Sequence, residues 1–171
     1  MKVNHTTSRK FSYYRRLSAR QKHIYDRSDS ITSVKLPQAE RFDLVTIDLK
    51  KALAREDHVA TQAASHRLVY GLCMVFGIRI AKIKVLAKRP SRNWGEMHGL
   101  YEHEEGSQPV ITVWMRTAKK KQVVAFRTFL RTVIHEFMHH LDYAHMKLAD
   151  SFHTEGFYKR ESSLIKALLR E

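Results

Sequence analysis

A chain of 171 residues, 43% of them apolar, is long enough for one domain with its own core. A single cysteine, Cys73, excludes an internal disulfide and a cysteine zinc site, and no apolar run is long enough to span a bilayer. The net charge of +14 favours a polyanionic partner, most plausibly nucleic acid.

Residues 1–36 read as a basic, mobile or weakly helical arm, because the first 35 hold nine Lys/Arg against two Asp and show little apolar periodicity. The arm has no apolar stretch of the secretory kind, so the cytoplasm is the expected compartment, at the nucleoid if DNA is the partner. Within it, Tyr13-Tyr14-Arg15-Arg16 mixes rings that could stack on bases with cations that could pair with phosphates. Arg15 and Arg16, with Lys119, Lys120 and Lys121 further on, are the candidate nucleic-acid contacts.

Pro37 marks the entry to a folded part spanning 37–171. Phe42, Val45, Leu49 and Leu53 recur at helical spacing over 40–55. A second helix over 57–76 carries Leu68, Leu72 and Val75 and stops at Gly77. Ala81, Ile83 and Val85 alternate with lysines, as in a half-buried strand. A turn at 90–93, a short strand near 97–102, a turn at 104–109 and a strand over 110–115 follow. The longest periodic segment, 119–145, buries Phe126, Leu130, Val133, Phe137 and Leu141 along one stripe. After a loop at 146–153, Thr154 is placed to cap a last helix over 155–170, with Phe157, Leu164, Ile165 and Leu168 facing inward. The pattern implies an α+β fold: N-terminal helices, a small mixed or antiparallel sheet, a long central helix and a C-terminal helix.

The central helix contains His135-Glu136-Phe137-Met138-His139, the H-E-x-x-H pattern of zinc peptidases. Positions i and i+4 share a helix face, so both imidazoles can reach one metal ion. Glu136 is placed to act as the general base toward a metal-activated water. Asp142 shares the ligand face and is a candidate to orient an imidazole from behind. His140 and His145 lie off that face and read as surface residues, while Tyr101, Tyr143 and Tyr158 are weaker candidates to stabilise an oxyanion. A catalytic zinc ion needs a third protein ligand, and the segment after the helix offers His153 or Glu155.

His135, Glu136 and His139, then His153 fourteen residues on and Phe157 four beyond it, resemble the SprT-like and related WLM metallopeptidases. The resemblance spans roughly residues 40–170. It departs in having Thr154, with Gly at 156, where the family places Gly directly after the third His, and in lacking a cysteine zinc ribbon. It implies a small zincin-like domain holding Zn²⁺ through His135, His139 and His153, and a link to DNA and DNA-associated proteins. A protein or peptide substrate would lie extended along the strand at 110–115. Two alternatives remain: a small gluzincin peptidase with Glu155 as third ligand, and a nucleic-acid-binding protein whose zinc site is structural or degenerate.

Overall fold

The computed structural model describes residues 10–92 and 95–171. Helix α1 runs Ala19–Ser30, α2 Asp43–Ala54, α3 His58–Phe76, α4 Phe126–Ala144 and α5 Glu155–Leu169. The strands are β1 Lys82–Lys88, β2 Ser91–Arg92, β3 Gly95–Glu96, β4 Gly99–Glu102 and β5 Val110–Arg116. The fold is therefore α+β, as the patterning implies. No helix among the described residues is long and apolar enough to cross a membrane.

The main sheet is mixed, in the order β1-β5-β4. β1 runs parallel to β5, with Ile83 opposite Ile111 and Val85 opposite Val113. β4 runs antiparallel to β5, with Tyr101 opposite Ile111. The segment 110–115, expected to receive an extended substrate, is thus the central strand, and both of its edges are taken. On the far side of the sheet, Gln62 of α3 engages β1, accepting from the Val85 amide at 2.7 Å and donating to the Ile83 carbonyl at 3.0 Å. β4 is left as the outer strand, and it lies against α4. The turn foreseen at 90–93 belongs to a short β2–β3 hairpin, with Asn93 outside the described residues.

Helices α2 and α3 form where the periodicity places them. Asp57 caps α3 by accepting from the Ala60 amide at 2.9 Å, and Gly77 ends it in the left-handed region at φ +61°. Cys73 is buried as a small apolar residue. Helix α4 begins at Phe126, not near 119. Before it, the chain reverses on Lys121 at φ +53°, and the Thr117 amide donates to Gln122 and the Val124 amide to Met115. Those donors are spent on extending the sheet edge, so the segment cannot also wind into the helix.

The N-terminal segment departs most from expectation: from residue 10 onward it is docked. The part of the arm at 1–9 lies outside the described residues. Ser18 and Gln21 close a reciprocal cap at the start of α1. Tyr25 is fully buried, and Ser28 and Asp29 are buried with it. Tyr14, expected to stack on bases, instead packs edge-on against Tyr25 at 4.9 Å and donates its hydroxyl to Asp26 at 3.0 Å. Aromatic rings set among polar residues, together with long-range hydrogen bonds, hold this segment, and neither makes a helical apolar stripe in the sequence. Arg160 of α5 is wholly buried and donates to the Ile31 carbonyl at 2.7 Å, to Ser28 Oγ at 3.1 Å and to Asp142 Oδ1 at 2.9 Å.

Removing one partner of a buried ion pair leaves the other charge uncompensated, at a cost of about 3–5 kcal/mol. Arg160→Met is expected to lose that much stability in chemical denaturation with chelator present. Asp142→Leu combined with Arg160→Met is expected to recover much of it.

Candidate metal centre

Three imidazoles converge where α4 meets the chain entering α5. His135 and His139 stand one turn apart on α4. The chain then leaves the helix through Lys147 in the left-handed region (φ +54°), buries Leu148, and returns His153 to the same point. Thr154 accepts from the Phe157 amide at 2.9 Å, which starts α5 immediately after the third histidine. Phe157 forms the floor, its ring centroid 5.1 Å from His135, 5.0 Å from His139 and 5.2 Å from His153.

The Nε2 atom of His153 lies 3.0 Å from the Nε2 atoms of both His135 and His139. Tetrahedral zinc, with Zn–N of about 2.0–2.1 Å, needs ligand nitrogens about 3.3 Å apart. Two of the three spacings come near that value, and all three ligand atoms lie within 4.8 Å of one another, close enough to share one ion. The tautomers fit as well. His135 Nδ1 lies 2.8 Å from Glu161 Oε2, a carboxylate oxygen that can only accept. Ser151 Oγ donates to Asp142 Oδ2 at 2.8 Å and is left to accept from His139 Nδ1 at 2.7 Å. Both rings thus carry their proton on Nδ1 and offer the Nε2 lone pair to the cradle. Burial, then His153 and His135, pull His139 down to about 3, which keeps its imidazole neutral, the form that ligates.

His135, His139 and His153 are the group able to hold a metal ion among the described residues. Glu155, the alternative third ligand, lies outside that group and pairs with Lys159 at 2.6 Å. Asp142 stands behind His139 through Ser151, and it is fully buried against Arg160. Glu161 was not singled out from the sequence, although a signal was present. It sits on the apolar stripe of α5, four residues after Phe157 and four before Ile165, where an unpartnered carboxylate would be costly. Its other oxygen takes Arg131 at 2.8 Å.

Glu136 is 7% exposed, and burial raises its carboxyl to about 7, with Glu161 adding to the rise and His135 opposing it. β4 lies directly over it. A Cβ built on Gly99 would fall 2.7 Å from Glu136 Cγ and 2.8 Å from its Cδ, so glycine lets the strand pass with the Glu136 side chain in its present place. The sequence marks Gly99-Leu100-Tyr101 as similar to a substrate-side strand of the SprT-like group but not the contact of Gly99 with Glu136, which joins residues 37 positions apart.

His140 corrects an expectation. It is 1% exposed, donates from Nε2 to the Arg79 carbonyl at 2.7 Å and accepts from the Tyr101 hydroxyl at 3.0 Å. Its position, seven residues after Val133 and three after Phe137, places it on the buried stripe. His145 is exposed, as expected. Tyr101 spends its hydroxyl on His140, and Tyr143 donates to Asp150 at 3.4 Å. Tyr158, 41% exposed, stands beside the cradle with its ring 5.8 Å from that of His153. Arg15, Arg16, Lys119, Lys120 and Lys121 are all exposed, the first two on the docked N-terminal segment and the lysines in the reversal before α4.

No family model, curated protein or solved structure matches this chain.

Loss of the group behind a ligand imidazole typically weakens metal binding about 10- to 100-fold. Glu161→Ala and Ser151→Ala are each expected to raise the zinc dissociation constant by that factor, read by competition with a chromophoric chelator. Unchanged affinity in both would show that the Nδ1 partners do not tune this site.

Proposed function

We propose that the protein is a zinc-dependent endopeptidase of the SprT-like kind, acting on protein or peptide substrates. The observation that carries this reading is Glu136, a carboxylate buried under the outer strand and adjacent in sequence to the first of three converging histidines. A structural site has no use for that carboxylate and usually takes four protein ligands. The two candidates for a fourth ligand are engaged elsewhere, Asp142 with Arg160 and Ser151, and Glu155 with Lys159.

His135, His139 and His153 would hold zinc through their Nε2 atoms, and the ion would supply a Lewis acid able to lower the pKa of a water and polarise a carbonyl. Glu136 accepts a proton from the attacking water and returns it to the departing amine, so that one water is added across the peptide bond. Tyr158 is the phenol best placed to donate to the developing oxyanion, since the hydroxyls of Tyr101 and Tyr143 have other acceptors. An extended substrate pairs along β4, the outer strand that crosses Glu136. The charge of +14 and the exposed Arg15, Arg16, Lys119, Lys120 and Lys121 support substrates held on DNA.

Zinc content and cleavage of an unfolded protein, with and without DNA, test the reading. Wild type should bind about one zinc ion per chain, and His153→Ala but not Glu155→Ala should lose it. Glu136→Gln should retain zinc and lose cleavage. Full activity in that variant would remove Glu136 as the base. Gly99→Ala pushes the Glu136 carboxylate out of place, and a misplacement of about 1 Å can cost about 10²-fold in rate. Its kcat/KM should fall by that order while zinc content stays at the wild-type level.

A further inference from the structure

His135 and His139 are fixed by the helix that bears them, whereas His153 sits on a connecting segment. That segment is gripped from outside by residues 10–31. The Tyr13 hydroxyl donates to the main-chain carbonyl of His153 itself at 2.7 Å. Arg27 donates to the Met146 carbonyl at 3.1 Å, where the segment leaves α4. Asp29 accepts from the Gly156 amide at 2.9 Å, three residues past the ligand. The rings of Tyr13 and Tyr25 pack on Phe152, the residue before the ligand, at 6.5 and 6.1 Å. At Gly156 the two backbones touch: a Cβ there would fall 2.7 Å from the Asp29 carbonyl carbon and 2.8 Å from its Cα. The segment is thus held at its start, at the ligand and at its end.

We infer that residues 10–31 form a clasp that positions the third metal ligand, with Tyr13 as the positioning residue closest to it. The inference rests on the three-histidine reading of the metal centre. Its physical basis is preorganisation. A ligand on a free loop must be ordered when metal binds, and the clasp orders it beforehand. Linkage makes the effect reciprocal, so metal in the cradle stabilises the docked clasp by the same free energy.

The test uses the full chain with zinc and with cobalt. Tyr13→Phe removes one hydroxyl and no packing volume, and Asp29→Ala removes the grip on Gly156. Each should raise the zinc dissociation constant about tenfold, the lower end of the effect usual for groups supporting a ligand. The visible absorption of the Co²⁺-loaded Tyr13→Phe protein should change, because the third imidazole is less well aimed. Arg20→Ala, an exposed charge on the same helix, should leave both at wild type. Zinc should slow amide exchange in α1 of the wild type and do so less in Tyr13→Phe. Dissociation constants within about twofold of wild type, with or without a lower apo melting temperature, would overturn the clasp and leave the metal centre standing. Failure of the wild type to bind zinc would overturn the centre itself. If Asp29→Ala does not fold, Tyr13→Phe decides alone.

Discussion

The buried guanidinium of Arg160 is the tie on which the rest of the arrangement depends. It joins three elements that are distant in sequence: the C-terminal end of α1 through Ser28 and Ile31, α4 through Asp142, and its own helix α5. A charge with no exposure is tolerable only with well-placed acceptors around it, and here both terminal nitrogens are engaged while the buried Nε has no partner among the described residues. Satisfying the terminal nitrogens fixes the relative placement of α1, α4 and α5 more sharply than apolar contact would, because hydrogen bonds are directional and the apolar contact is not.

The metal centre inherits its geometry from that tie. Asp142 turns one oxygen to Arg160 and the other to Ser151, and Ser151 in turn orients His139. Glu161, the residue after Arg160, orients His135. Adjacent positions on α5 therefore serve opposite ends of the same site, one through the scaffold and one directly. The histidines are aimed by groups that cannot themselves move without breaking buried polar contacts.

The placement of Glu136 follows from a second constraint, the thickness of backbone at β4. A Cβ at residue 99 would overlap the Glu136 side chain, so glycine there lets β4 cross α4 while that side chain keeps its place. The approach of β4 covers one side of the helix, buries His140 and Glu136 together, and presents an outer strand beside the cradle. A buried carboxylate thus lies under an outer strand and next to three convergent imidazoles, the arrangement on which the proposed function rests.

The motif at 135–139, the helices α2, α3 and α5, and the Thr154 cap are legible in the sequence because each rests on contacts within a few residues: helical periodicity, an i to i+4 pair, a side chain closing on an amide three positions on. His140 was legible too, through its place on the stripe with Val133 and Phe137. Tertiary structure alone brings His153, and not Glu155, to the two histidines of α4, since both lie near the end of the same loop and only the path of the chain tells which side chain reaches the helix. It also decided that β5 is central and β4 outer, because strand order is set by pairing between distant segments and leaves no local trace. The docking of residues 10–31 is hidden for the same physical reason: it is made by hydrogen bonds and ring contacts spanning more than a hundred residues, to which apolar periodicity is blind.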